Sequence, residues 1–239
     1  MIRTLVPVVL AMAQLLAPQA HTASTAKVEP VKSVGIYVLP YYRSADTPGG
    51  APMVHVGKRF DALLSSNRKQ DILAVRDMLR EHPGTITPMT MMVLAIRLYD
   101  VGLRDQSVFW FYAAKDRYFT LAGVLDMHSP GLSEVPDIVG NFATLAGPVI
   151  NSYAFCDLKK QEATEQAALD WVKEHPYQVM FMNRLPAQPG NREANLEATL
   201  KKIRARIDKE RDYMNQPATI ARLESVRKTR HVDEMFCWK

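Results

Sequence analysis

The sequence predicts a mainly α fold, an irregular array of helical hairpins or a helical bundle with at most a short N-terminal strand. Three observations carry this. From residue 67 onward apolar side chains recur at helical spacing. The breaks between those runs hold helix start and stop signals, such as Thr87-Pro88, His82-Pro83-Gly84 and Gly102. Only SVGIYVLP, residues 33–40, has the makings of a strand, and it would serve equally as extended chain crossing the domain.

Residues 1–26 read as an export signal and flexible start. One Arg precedes an apolar run from Leu5 to Leu16, shorter than the roughly 20 residues that span a bilayer, and cleavage is expected after Ala20 or Ala26. A retained anchor is the alternative. Residues 27–66 form an extended N-terminal segment containing the TPGGAP turn at 47–52. Residues 67–239 form a single helical domain whose C-terminal tail is clipped to its middle. No other apolar stretch is long and charge-free enough for membrane insertion.

Within that domain, Asn67 caps a helix to Arg80 with Ile72, Val75 and Leu79 on one face. Thr87 caps the next, Pro88 to about Val101, whose wide apolar arc calls for packing on more than one side. Gly102 ends it, and a partner helix from Asp105 returns antiparallel. That partner contains VFWFYAAKDRYF, residues 108–119. At 100° per residue, Val108, Phe111, Tyr112 and Phe119 share one side and Trp110, Ala114 and Tyr118 the adjoining one. Trp110, Phe111, Tyr112 and Phe119 are therefore expected as structural core, a seam between helices. Asp105, Asp116, Arg117 and Thr120 mark the polar strip. Lys115 falls inside the apolar arc, its stem along the rings or its ammonium paired with an acid. Farther on, Ser133 or Glu134 opens a helix that Gly147-Pro148 ends or kinks. A helix over about 157–174 follows, then one through Met214 after NRLPAQPGN, and a terminal one after Asn215-Gln216-Pro217. Glu-His-Pro occurs at two helix ends, 93 positions apart at His82 and His175, which fits either duplicated helical units or chance.

Cys156 and Cys237 are expected to form a disulfide in an oxidising compartment, two free thiols being the alternative. No metal site is expected, because neither cysteine has a histidine at ligand spacing and the six histidines form no dense pattern. No cofactor is expected, since the Gly-rich TPGGAP turn lacks the Lys-Ser/Thr that cradles phosphates. No serine sits in G-x-S-x-G, and only Asp126, His128 and Ser129 or Ser133 sketch a triad, so an enzyme is not expected. The net charge of +5 is too small and too mixed with acids for nucleic acid. Its distribution is uneven. No Lys or Arg lies between Arg117 and Lys159, whereas residues 192–230 carry eleven basic and six acidic residues, a contrast that suits either a partner or internal packing.

The export signal, the helical pair LAIRLYDVGLRDQSVFWFYAAKDRYF (residues 94–119) and the late cysteine pair together resemble periplasmic immunity proteins of bacterial type VI secretion, which neutralise envelope-directed toxins such as phospholipases. The helix pair also resembles tetratricopeptide and Sel1-like repeats, without a strict 34-residue period. The resemblance implies a periplasmic, helix-built inhibitor whose partner is a cognate effector or toxin, a lipase among the candidates. It transfers no catalytic set. Asp126, His128, Glu134 and Asp137 are the candidate partner-binding residues, an acidic loop and helix entrance facing basic groups of the toxin. An envelope scaffold or adaptor is the competing reading, and an unfamiliar envelope hydrolase built on His128 is the third.

Overall fold

The computed structural model describes residues 28–238, so the expected export signal and its cleavage points lie outside the described residues. The N-terminal segment alternates in burial, with Val34, Ile36 and Val38 inside and Gly35, Tyr37 and Leu39 outside. It forms a small antiparallel sheet of β1 (Tyr37–Val38), β2 (Tyr42–Arg43) and β3 (Met53–Val54), with Tyr42 opposite both Val38 and Val54. The sequence offered one strand, within the alternating run 34–39; all three strands are two residues long, and the other two have no such run around them to leave a periodic signature. With Phe60 and Leu64 of α1 (Asp61–Leu64), these side chains enter the same apolar cluster as the helices that follow.

Ile72, Val75 and Leu79 of α2 (Lys69–Glu81) are buried, as their spacing requires. Asn67 does not cap this helix. Arg68 holds the N-cap position without a side-chain bond, and the Asn67 amide instead donates to the Gly49 and Gly50 carbonyls. Thr87 does cap α3 (Pro88–Asp100), its Oγ1 accepting from the Thr90 N–H at 3.1 Å. Every residue from Thr90 to Tyr99 is buried, so this helix is enclosed on all sides. Gly102, at φ +81°, closes it with an N–H bond to the Tyr99 carbonyl and turns the chain into α4 (Arg104–Val124).

Helix α4 is the axle of the fold. It packs against α3, α5 (Val135–Ala154), α6 (Leu158–Glu174) and α7 (Arg192–Met214). Two expectations fail for that reason. Asp116, Arg117 and Thr120 are buried, not a solvent strip, and only Asp105 of that set is exposed. Phe119 is not core: it is 37% exposed, with the Arg206 guanidinium 4.8 Å from its ring, because α7 shields one side of it only. Trp110, Phe111 and Tyr112 are all buried. Lys115 lies along the seam, its ammonium 5.3 Å from the Tyr112 ring and 5.9 Å from that of Phe111.

Helix α5 runs through Gly147-Pro148 without a break. Pro148 and Thr144, whose carbonyl loses its helical partner to the proline, are both exposed, so water can satisfy that carbonyl. Asp157 caps α6 and Asn191 caps α7 through side-chain oxygens. The chain ends in α8 (Pro217–Thr229) and α9 (Val232–Phe236). Cys156 and Cys237 are joined in a disulfide with Cα atoms 5.6 Å apart. The tail is further fixed by the Val31 N–H on the Met235 carbonyl and by Arg104, which donates to the Phe236 and Trp238 carbonyls and stacks 3.9 Å from the Trp238 ring.

The two Glu-His-Pro runs have a shared geometry. His82 and His175 both close their helices in a similar conformation (φ −130°, ψ 53° and φ −126°, ψ 67°), and a short 3-10 turn comes after each, at Pro83–Thr85 and Gln178–Phe181. These two turns touch. Arg117, fully buried, joins them: one guanidinium nitrogen donates to the Pro83 and Ile86 carbonyls, the other to His175. Among the described residues no carboxylate pairs with it. Burial lowers its pKa to about 10, and Trp171 and Tyr177 offer their ring faces at 4.8 and 5.7 Å.

Candidate partner-binding surface

The α4–α5 connection and the first turn of α5 carry the four predicted recognition residues. Asp126 is half-buried, and its Oδ1 accepts the His128 backbone N–H at 3.0 Å, while its carbonyl accepts the Ser129 hydroxyl at 2.7 Å. Its own N–H donates to the Pro186 carbonyl, pinning the loop to the segment before α7. Asp126 therefore shapes the turn, with one carboxylate oxygen spent inside it. The triad drawn from the sequence is not assembled: the Asp126 carboxylate holds a backbone amide and not the His128 imidazole, and Ser129 points at a carbonyl.

His128, Glu134 and Asp137 are exposed. Glu134 takes the N-cap position of α5 and Asp137 sits in its first turn, where the helix dipole favours negative charge. Among the described residues neither carboxylate has an ion-pair partner. Burial raises the pKa of Tyr118 on neighbouring α4, and the Asp137 charge adds to it. The four residues thus divide into two groups, with Asp126 building the turn and Glu134 and Asp137 left free on a rigid helix start.

Part of the basic C-terminal region turns inward, while Lys201, Lys202, Lys209, Arg211, Arg222, Lys228 and Arg230 are exposed. Arg206 pairs with buried Asp116 at 3.0 Å, and Arg204 with Asp170 at 2.6 Å. Burial nevertheless holds Asp116 up at about 6, outweighing the attraction of Arg206, Lys115 and Arg204. Arg227 of α8 donates to the Ser152 carbonyl and to Asp233, bracing the disulfide-bonded tail.

Two buried arginines escaped sequence reasoning in their roles. Arg97 donates to the Leu64 and Ser66 carbonyls, to Asn67 Oδ1 and to Asp100 at 2.6 Å; Arg117 joins the two helix ends. Their common signal is a cation within an apolar helical run, LAIRLYD or AAKDRYF. Among the described residues, no group of three or more His, Cys, Asp or Glu is placed to hold a metal ion. No described helix is long and apolar enough to cross a membrane.

Against known proteins, the chain is 36% identical over 215 residues to an uncharacterized protein of Haemophilus influenzae, covering 90% of this chain and 83% of that one. It belongs to that protein's family. No family model and no solved structure matches the chain. The family likeness extends over nearly the whole chain, and the name of the Haemophilus member assigns it no activity.

Proposed function

We propose that the protein is an exported binding protein that neutralises a cognate toxin delivered to the bacterial envelope, covering its active site or blocking a motion that admits substrate. The carrying observation is unpaired acidic charge on a fixed helix start. Glu134 and Asp137 stand exposed, without an ion-pair partner among the described residues, in a stretch that holds no Lys or Arg from residue 118 to 158. An unpaired acidic patch on a rigid element suits electrostatic recognition of a basic surface. The Cys156–Cys237 disulfide fits an oxidising compartment such as the periplasm. A lipase-type toxin is the partner class that the family resemblance suggests.

The test is capture of partners from periplasm by the processed protein, followed by assay of the captured protein's toxicity with and without it. Glu134→Lys with Asp137→Lys should weaken the complex about tenfold or more at unchanged melting temperature. Undiminished affinity rejects this surface. A captured resident envelope assembly with no toxicity to suppress rejects neutralisation in favour of a scaffold.

A further inference from the structure

The Cys156–Cys237 disulfide has two unlike sides. Cys156 is exposed and borders a groove of about 110 Å³ whose other walls include Val108, Tyr153, Lys160 and Thr164. Cys237 is half-buried and takes no part in that groove. A nucleophile coming from solvent therefore meets Cys156 first.

On the Cys237 side stands a cation. Arg227 of α8 is buried, and one guanidinium nitrogen lies 2.8 Å from Cys237 Sγ and 3.5 Å from Cys156 Sγ. Asp233 opposes it, paired with Arg227 at 2.7 Å and with a carboxylate oxygen 3.6 Å from Cys237 Sγ. The two charges do not weigh equally at the sulfur. The Asp233 side chain is 64% exposed against 10% for that of Arg227, so water screens the carboxylate more than the cation. The guanidinium is also the nearer group, and its N–H donates to sulfur, which a carboxylate cannot do. A cation and an N–H donor at a sulfur stabilise its thiolate and make it the better leaving group.

Opening the bond leaves the tail in place. The Val31 N–H still holds the Met235 carbonyl, and Arg104 still holds the Phe236 and Trp238 carbonyls and stacks on the Trp238 ring. Those contacts keep the two sulfurs near each other for the return reaction.

We infer that this disulfide is an exchange site for thiol reductants, with Cys156 the sulfur attacked and Cys237 the leaving group. An incoming thiolate bonds to Cys156 Sγ as the Sγ–Sγ bond breaks, and the electron pair of the broken bond goes to Cys237 Sγ beside Arg227. A second thiolate of the same dithiol then attacks the reductant's sulfur in the mixed disulfide and releases Cys156. Two electrons and two protons pass from the dithiol to the chain, and the dithiol becomes a disulfide. The site is separate from Glu134 and Asp137 and does not depend on the proposed neutralising role.

The experiment maps the first adduct on the purified, disulfide-bonded protein. The probes are glutathione and a Cys-x-x-Cys oxidoreductase lacking its second cysteine, quenched early with N-ethylmaleimide and read by peptide mass spectrometry. Both should attach to Cys156, with maleimide on Cys237, in about fivefold or greater excess over the reverse pattern. Their relative rates separate a small thiol from a protein-borne one. In parallel, Arg227→Gln should slow reduction by dithiothreitol about fivefold or more, and Arg227→Lys should recover most of the rate. Three results each overturn the site: adducts shared equally or favouring Cys237, reduction of Arg227→Gln as fast as the parent or faster, or no adduct from either probe on the folded protein while the urea-unfolded protein reacts. The mapping uses the parent chain alone, so it stands even where a variant at Arg227 loosens the tail.

Discussion

Replacing Arg117 by Met should destabilise the fold by about twice what a volume-conserving apolar swap in a core costs. Met fills much of the same volume and spares the desolvation of a buried cation, which by itself would favour the variant. The Pro83, Ile86 and His175 carbonyls cannot be removed with it, and they lose three hydrogen bonds from a charged donor. At about 1–3 kcal/mol for each buried group left unsatisfied, the gross loss is about 3–9 kcal/mol. Relief from charge burial, and from the Nε that already lacks a partner, brings the net to about 3 kcal/mol. For a domain of this size that is a fall in melting temperature of about 6–12 °C. Urea and thermal unfolding followed by circular dichroism, with the disulfide intact, measure both. Arg117→Lys should recover only part of the loss, because an ammonium cannot fork to three carbonyls on two elements. A loss under about 1 kcal/mol for Met, or full recovery with Lys, would refute the role of Arg117 as the joint between the two helix ends.

Asp116 gives a pH test. Its folded pKa of about 6 lies above the ordinary carboxylate value of 3.8, so the folded state holds the proton longer than the unfolded one, and the contribution of Asp116 to stability falls as pH rises through that window. Asp116→Asn should gain on the parent by on the order of 2–3 kcal/mol between about pH 4 and pH 7; a pH-independent difference in urea stability contradicts the burial argument. Gly123→Ala should destabilise by about 1–3 kcal/mol despite better helix propensity, because a Cβ there collides with the Thr199 side chain of α7; faster hydrogen exchange confined to α7 is the expected signature, and a stabilised variant would show that α7 can shift. Cys156→Ser with Cys237→Ser should cost up to about 4.5 kcal/mol for the 81-residue separation, read by denaturant titration; unchanged stability would mean that Arg104 and Arg227 secure the tail unaided.

The helical bounds were legible because caps and stops are local. Thr87-Pro88, Gly102, Asp157 and Asn191 act within one turn of chain, and the structure places helix ends at each. The candidate site was legible in part: the exposure of Glu134 and Asp137 suits their place at a helix start, whereas the commitment of Asp126 to its own turn required coordinates. Phe119 shows the limit of a helical wheel. Its spacing matches that of buried Phe111, but how far α7 covers it depends on a crossing set about eighty residues later in the chain.

By itself, then, the sequence determined the mainly α class, the hairpin of α3 and α4, and the residues able to form the one disulfide, since each depends on neighbours in the chain or on composition. Only the tertiary structure decided that α4 is surrounded, so that Asp116, Arg117 and Thr120 are buried and two distant Glu-His-Pro runs converge on one guanidinium. Likewise it joined residues from the 44–50 loop, α2 and α3 into one cleft. The physical reason is range: capping and periodicity act over a few residues, while burial of a charge depends on which distant elements the apolar faces bring together.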